Sequence, residues 1–308
     1  MLSLFGTAIM RVAYGFDDIQ RNKELIQNAE ALMSGFCEAA IPGRFLVNAF
    51  PSLKHVPSWC PGAGFQSFFG NLAQISFKTR YPPFEEANGR KGGHPSMATD
   101  LIDRLPEDSD VNRAEMESIA RDVCGVAYVA GAETTVNLAT ALLYVLGSHP
   151  DIQRKGQTEI DSVVGLDRLP AATDIQDLPY VHAIVKEVGR WFTVAPLGVP
   201  HSNSEDDEYD GFFIPKGTII FPNNWAMMHN PDVFDKPFEF IPERYLKDGQ
   251  IDPSVPDAEA AAFGHGRRND AMFLMAASLL ATYTLTIPKD EAGKIAPMKL
   301  QSEDPLVM

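Results

Sequence analysis

Three segments of the chain combine residue types that can do chemistry, and the first lies in a long apolar run. Glu133, Thr134 and Thr135 follow Gly131 at the end of the run over residues 123–132. Burying an unpaired carboxylate or hydroxyl is costly, so these residues need a reason. One interpretation is a helix kink, since threonine can bond back to the preceding turn. The other is a proton relay to a ligand lying beside Gly131. The residues alone leave both open.

The second segment supplies an acidic and a basic side chain that can form an ion pair. Glu187 and Arg190 stand three positions apart, which places them on one face of a helix. Such pairs are common on solvated faces and contribute little there. Arg244, however, lies in the apolar, proline-fixed segment 240–245. We predict a buried network of Glu187, Arg190 and Arg244, which would be costly to break because losing one partner strands a charge.

The third segment is a cationic loop directly before the last apolar run of the chain. It reads Phe263, Gly264, His265, Gly266, Arg267 and Arg268. One interpretation is a loop that caps the following helix. The other is a loop whose glycines let the backbone approach a flat anionic ligand closely, with an arginine binding a carboxylate.

Composition narrows the class of protein. The 308 residues include 41 acidic and 26 basic side chains, for a formal charge of −15. This balance argues against nucleic acid, which requires a basic face, and against an anionic membrane surface. Apolar residues make up 45% of the chain, enough for a packed core. Three cysteines, Cys37, Cys60 and Cys124, are too few for a disulfide framework and indicate a reducing compartment.

Hydrophobic spacing predicts a mainly helical fold with a small β region toward the C-terminal half. Helices are expected over residues 17–40, 112–148, 150–164, 178–192 and 271–285. The run over residues 123–132 is apolar on all sides and is therefore expected to be buried all round.

Glycine, proline and aromatic residues mark the other elements. Residues 42–70 are expected to form an apolar connection with short helices, and residues 85–96 an exposed loop. Residues 212–214 and 218–221 are expected to pair as a hairpin across Pro215-Lys216-Gly217, with short strand-like pieces after the last helix.

Taken in order, these motifs resemble the cytochrome P450 family, specifically its fungal microsomal-type monooxygenases. The resemblance covers essentially the whole chain. It rests on AGAETT (130–135), EVGR (187–190), PLGVPH (196–201), FIPERY (240–245) and FGHGRR (263–268). It implies one partial P450 domain over residues 1–308, comprising the middle and C-terminal parts of an incomplete family fold.

The resemblance also implies residue roles around a haem b. Gly131, Glu133 and Thr134 would lie over its distal face, with Thr134 hydrogen-bonding dioxygen or its water and Glu133 supplying protons. Residues 194–199 would line the substrate side. Glu187, Arg190 and Arg244 would form a structural triad that supports the proximal side without taking part in catalysis. The residues implied to bind the cofactor are Gly131, His201, Phe263, Gly266 and Arg268, with His201 and Arg268 on the propionates.

The chain departs from the family at the iron ligand. The family pattern is F-x-x-G-x-R-x-C-x-G, and Phe263, Gly266 and Arg268 match it, but Asp270 stands at the cysteine position. Residues 271–274 then look like the interior of a helix, so we predict that a segment of several residues is missing. Thiolate ligation favours O–O cleavage, and an aspartate cannot replace it.

Two other residues, His265 and Cys60, are alternatives to consider for the missing cysteine ligand. His265 in the loop would give globin- or peroxidase-like ligation. Cys60-Pro61-Gly62 copies the missing tripeptide but lacks the upstream pattern. We interpret it as ordinary packing, and Cys124 as core.

These observations leave two hypotheses about function. The first is a haem-dependent monooxygenase that oxidises a small apolar organic substrate of secondary-metabolite or xenobiotic type, with electrons from NADPH–cytochrome P450 reductase. The second is an inactive truncated remnant or incomplete gene model that binds haem weakly or not at all. The chain as written is predicted to be inactive. An unrelated helical binding protein would require all five ordered motifs to be coincidence.

The first residues of the chain bear on its cellular location. Members of this family are anchored in the endoplasmic reticulum membrane, whereas residues 1–16 look like the middle of a family helix. The sequence therefore predicts a soluble chain without an anchor.

Overall fold

The structure is a computed structural model that describes residues 2–41, 43–89, 94–257 and 269–288. The chain divides into two compact units, Met1–Val136 and Asn137–Met308, and each is described by itself. The described residues are mainly helical with three two-stranded ribbons, which confirms the predicted fold class. That residues 1–308 form one domain stays a prediction.

The first unit is built from helices. They are α1 (Leu2–Tyr14), α2 (Ile19–Ala40), α3 (Leu46–Ala49), a 3-10 turn (Pro51–His55), α4 (Gly64–Gly89), α5 (Met97–Asp103) and the first part of α6 (Arg113–Ser148). The expected connection over 42–70 ends earlier than predicted, and residues 85–89 are helical instead of loop. Helix α4 continues through Pro82 and Pro83 because Phe84 and Ala87 are buried, so packing overrides the proline signal.

The core of this unit joins α1, α4 and α6. Met10, Tyr14, Phe84, Cys124 and Tyr128 are each at most 2% exposed. Burial raises the pKa of the Cys124 thiol to about 11, so this group is protonated at neutral pH. Cysteine here is a small apolar core residue, as the sequence predicts.

Helix α6 is not buried all round, contrary to the prediction for residues 123–132. Val123 and Val126 are 45% and 65% exposed, while Cys124 and Tyr128 on the other face are fully buried. An all-apolar run was expected to require burial on every side, but here only one face is packed. Among the described residues α6 is also the one helix long and apolar enough to cross a membrane, although half of its apolar window is buried in the protein.

The second unit carries the remaining elements. They are the rest of α6, α7 (Pro150–Val163), a 3-10 turn (Ala172–Asp174), α8 (Pro179–Trp191), β1 (His201–Ser202), β2 (Asp207–Tyr209), β3 (Phe212–Ile214), β4 (Ile219–Ile220), α9 (Asn224–Met228), a 3-10 turn (Pro242–Tyr245), β5 (Leu246–Lys247), β6 (Gln250–Ile251) and α10 (Asn269–Thr282). The four helices predicted over residues 112–192 and 271–285 agree with α6, α7, α8 and α10 to within a few residues. No strand occurs over residues 283–288, and the rest of the expected C-terminal strand region lies outside the described residues.

Helix α8 is the centre of this unit. Its residues 183–190 are all buried, and Pro179 occupies the first turn, where the missing N–H costs nothing. The carboxylate of Glu159 on α7 accepts the backbone N–H groups of Tyr180 and Val181 at 2.8 and 2.9 Å. A side chain from the neighbouring helix thus satisfies donors that the first turn of α8 leaves free.

The predicted hairpin between residues 212–214 and 218–221 is wrong. Strand β3 pairs with β2, and β4 pairs with β1, both antiparallel. Asp210 and Gly211 both have positive φ, 50° and 79°. Two consecutive residues of this kind form the tight turn that suits a two-residue hairpin, so the closing turn is Asp210-Gly211. Pro215-Lys216-Gly217 instead carries the chain from one ribbon to the other.

Replacing Asp174 with asparagine is expected to reduce stability at neutral pH and to matter less in acid. Two hydrogen bonds from Arg168, at 2.6 and 2.8 Å, and one from the Ala171 N–H lower the pKa of Asp174 from 3.8 to about 2. A lowered folded-state pKa contributes stability above about pH 4 that is lost as pH falls toward 2. Urea unfolding at a series of pH values measures this, with Asp177→Asn as control. A pH-independent difference between wild type and Asp174→Asn would contradict it.

Candidate functional site

The structure brings Glu187, Arg190 and Arg244 together in a buried ion network. Glu187 and Arg190 are one turn apart on α8 and are fully buried, and the Arg244 side chain is 9% exposed. Glu187 Oε2 accepts Arg190 Nε at 2.7 Å. Glu187 Oε1 accepts Arg190 Nη2 at 2.8 Å, Arg244 Nε at 3.1 Å and the Ile241 N–H at 2.9 Å. Four donors thus meet the two oxygens of this carboxylate, which is the compensation that a buried charge requires.

The two guanidinium groups extend the network to backbone carbonyls. Arg190 Nη1 donates to the carbonyls of Met228 and Pro237 at 2.9 and 2.8 Å, and its Nη2 donates to Glu239 O at 3.2 Å. Arg244 Nη1 donates to Asp235 O at 2.7 Å. The triad therefore fixes the backbone of residues 228–241, which has little regular structure of its own.

A second polar group beside the triad is not evident from the sequence. Lys155 Nζ on α7 and Tyr180 Oη on α8 both donate to Glu243 Oε1, at 2.5 and 3.0 Å. Burial opposes ionisation of Glu243, but these hydrogen bonds still hold its pKa below the ordinary range. Because Lys155 and Glu243 are 88 positions apart, no local spacing signals their contact. Their pairing ties the turn that carries Arg244 to α7.

In the α6 segment with the predicted proton relay, the described hydroxyls bond to the helix itself. Thr134 Oγ1 donates to Ala130 O at 2.8 Å and Thr135 Oγ1 donates to Gly131 O at 3.0 Å. These are the back-bonds of the helix-kink interpretation, although α6 stays continuous. Gly131 is buried, and a Cβ there would lie 3.2 Å from Ile9 Cδ1 of α1. The Glu133 side chain lies outside the described residues.

The segment predicted to face the substrate is held by α9. Asn224 Nδ2 donates to Ala195 O at 3.1 Å, and the Trp225 N–H donates to Pro196 O at 3.0 Å. His201, the predicted propionate ligand, is exposed on β1 with Nδ1 2.7 Å from Val199 O. Its role stays a prediction.

Gly198 in this segment is expected to tolerate alanine poorly. Its φ is +57°, and a Cβ would lie 2.3 Å from Pro222 Cγ, whereas Gly217, with φ +81°, has nothing within 4 Å. Gly217→Ala carries only the left-handed backbone cost of about 1–2 kcal/mol. Gly198→Ala adds crowding of about 1–3 kcal/mol. Urea unfolding of both variants measures the difference, and equal losses would contradict the close contact with Pro222.

The cationic loop predicted to bind the cofactor, with Phe263, Gly266 and Arg268, lies outside the described residues, as does His265. Helix α10 begins at Asn269, so the backbone of Asp270 is in its first turn. The position at which the family pattern has cysteine is thus helical in this chain.

Comparison with known proteins identifies the class. The family model for cytochrome P450 matches residues 3–301, and the chain belongs to this family. Two relatives are from Coprinopsis cinerea. Cytochrome P450 monooxygenase COX1 is 54% identical over 99% of this chain and 61% of its own length, and COX2 is 42% identical over 97% and 59%. Tryptamine 4-monooxygenase from Psilocybe cyanescens is 34% identical over 92% and 58%. The chain therefore spans about three fifths of the length of these fungal monooxygenases.

The aligned length of the match to COX1 shows that COX1 has residues that this chain lacks. The match to COX1 extends over 317 positions, whereas this chain has 308 residues. At least nine positions are therefore residues of the relative that have no counterpart here. The missing segment before Ala271 stays a prediction.

The cysteines of this chain do not fit a haem held by a thiolate. The sequence has no cysteine after Cys124. Cys124 is a protonated thiol in the core of the first unit, and Cys37 is buried on α2. Cys60 lies in the turn between the first 3-10 helix and α4. Across the described ranges, no group of three or more histidine, cysteine, aspartate and glutamate side chains is placed to hold a metal ion.

Proposed function

We propose that the protein to which this region belongs is a monooxygenase that inserts one oxygen atom from dioxygen into a small apolar organic substrate. Family membership and the fungal monooxygenase relatives support this proposal. One relative is named for tryptamine, a small organic molecule. NADPH–cytochrome P450 reductase is the proposed electron donor. The observation that carries the proposal is the buried network of Glu187, Arg190 and Arg244, which matches the family motif in residue type, order and contact.

The role proposed for this network is support. A charged triad that clamps at least four backbone carbonyls gives residues 228–241 one fixed conformation. Haem b, when bound, supplies oxygen activation in this family. Glu133 and Thr134 are proposed to move protons, and His201 and Arg268 to bind propionates. The Thr134 hydroxyl would have to leave its bond to Ala130 O to act in this way.

A second candidate is a chain that no longer carries out the reaction. It is favoured by one observation, the absence of any cysteine in residues 125–308. Without an axial thiolate, the donor that favours O–O cleavage is missing. The two candidates agree on fold and ancestry. They differ only in whether the protein made from the gene contains a ligand loop, that is, a cysteine-bearing segment between Arg268 and Ala271.

Sequencing the transcript between the codons for Arg268 and Ala271 separates the candidates. A cysteine-containing segment there supports the monooxygenase. The encoded protein, with reductase and NADPH, should then incorporate one heavy-oxygen atom from labelled dioxygen into an apolar substrate. A transcript that matches the present chain, with no oxygen incorporation by its product, would refute the monooxygenase for this gene and support the inactive candidate.

A further inference from the structure

The segment between β1 and β2 of the second unit places an exposed serine before a dense run of carboxylates. Ser204 is followed by acidic residues at one, two, three, four and six positions, which are Glu205, Asp206, Asp207, Glu208 and Asp210. No lysine or arginine occurs between Arg190 and Lys216. Every residue from 204 to 210 is exposed. An exposed run of one sign of charge is complementary to a basic surface on another protein.

The Ser204 hydroxyl is unbonded, although the residues around it are held in place. Asn203 Nδ2 donates to Glu205 O at 2.7 Å. The carboxylate of Asp206 accepts the Lys216 N–H at 2.7 Å. Within the part of the chain that the structure describes, Ser204 Oγ forms no hydrogen bond. The segment therefore presents an exposed alcohol from a backbone that is fixed on both sides.

Thr158 has a similar sequence context but a different structure. Acidic residues follow it at one and three positions, as they follow Ser204. Thr158, however, lies within α7, and its Oγ1 donates to Arg154 O at 2.9 Å. Transfer of a group to a hydroxyl requires its oxygen to approach the donor atom closely and in line. The bonded hydroxyl inside α7 is poorly placed for this approach, whereas that of Ser204 is accessible.

We propose that Ser204 is a phosphorylation site for a serine/threonine protein kinase whose substrate groove is basic. The carboxylates that follow Ser204 would pair with lysine and arginine side chains of the kinase, a charge pattern by which kinases select substrates. Ser204 Oγ attacks the γ-phosphorus of Mg²⁺-bound ATP, the bond from that phosphorus to the β,γ-bridging oxygen breaks, and ADP leaves. The hydroxyl proton passes to the aspartate of the kinase's catalytic loop. The proposal does not depend on haem or on the proposed monooxygenase function.

Incubation of the purified 308-residue chain with Mg²⁺-ATP and casein kinase 2, an acid-directed enzyme, tests this site. Peptide mass mapping is expected to place a phosphate on Ser204, and Ser204→Ala is expected to abolish it. Cyclic-AMP-dependent protein kinase, which selects basic segments, should leave Ser204 unmodified. Asp207→Asn should lower the rate of Ser204 phosphorylation at least about tenfold, the scale of one lost charge-assisted hydrogen bond.

The matched control is Asp210→Asn. It removes the same charge six positions after Ser204, and asparagine readily adopts the left-handed φ of Asp210, 50°. This variant should be phosphorylated at nearly the wild-type rate. Asp206 is kept in every variant because its carboxylate holds the Lys216 N–H. Circular dichroism of each variant checks that the fold is intact.

Four outcomes would overturn the proposal. They are no phosphate on the wild-type chain, phosphate on Thr158 or Tyr209 in place of Ser204, equal losses with Asp207→Asn and Asp210→Asn, and equal modification of Ser204 by both kinases. Phosphate on Thr158 would mean that the following charges decide the site without regard to structure. Equal losses would mean that net charge, and not a carboxylate at a particular position, controls the reaction.

Discussion

Replacing Glu187 with alanine is expected to lower the free energy of unfolding by about 3–5 kcal/mol, the cost of breaking a buried ion network from one side. The variant leaves the fully buried Arg190 guanidinium without its carboxylate and removes the acceptor for Arg244. Both arginines keep carbonyl partners, but Glu187 is the one carboxylate that forms an ion pair with them within the part of the chain that the structure describes. Urea unfolding of the purified chain, followed by far-ultraviolet circular dichroism, measures the loss.

The control for this experiment is Glu239→Gln. Lys236 and Glu239 form an exposed pair at 3.7 Å, and such pairs contribute at most about 1 kcal/mol. Arg190→Lys is a second test if Glu187→Ala does not fold. Lysine lacks the planar fork that meets both carboxylate oxygens, so a clear loss is expected there too. A change below about 1 kcal/mol for Glu187→Ala would contradict the buried network.

Substituting cysteine for Asp270 alone is expected not to restore a thiolate-ligated haem. Asp270 is in the first turn of α10, directly after Asn269, so a cysteine there would be part of a helix instead of a ligand loop. The match to COX1 also contains at least nine positions without a counterpart in this chain. Inserting a cysteine-containing ligand loop of the family pattern between Arg268 and Ala271 should restore the ligand. The readout is the carbon monoxide difference spectrum of the reduced, haem-loaded protein.

The control carries the same inserted segment with its cysteine changed to serine, which should lack the thiolate spectrum. This control separates the effect of the cysteine ligand from the effect of the inserted loop's geometry. A thiolate spectrum from Asp270→Cys alone would show that one side chain was enough, and the missing-segment interpretation would then be wrong.

The parts of the fold with strong local signals were predictable. Helices α7 and α8 begin at Pro150 and Pro179, a position that favours proline, and their apolar spacing is clear. The contact between Glu187 and Arg190 follows from helix geometry. The inclusion of Arg244 followed from its apolar, proline-fixed segment, although no local spacing places it beside the other two.

The errors occurred where tertiary packing or turn conformation decides. The Pro215-Lys216-Gly217 signal suggested a hairpin, but the paired positive φ values of Asp210 and Gly211 select a different strand partner. The run over residues 123–132 has no polar face that would predict the exposure of Val126. The contact of Lys155 with Glu243 depends on the arrangement of α7 and the turn at Pro242–Tyr245, which one sequence does not reveal.

The central claim is that this chain has the fold and the supporting triad of the P450 family but not its axial thiolate. Haem titration of the purified 308-residue chain, followed by reduction and addition of carbon monoxide, tests it most directly. We expect either no binding or the spectrum of a haem with histidine or water as ligand. A strongly red-shifted Soret band would mean that a thiolate reaches the iron. Cys60 would then have to be examined as the ligand, and the claim would be contradicted.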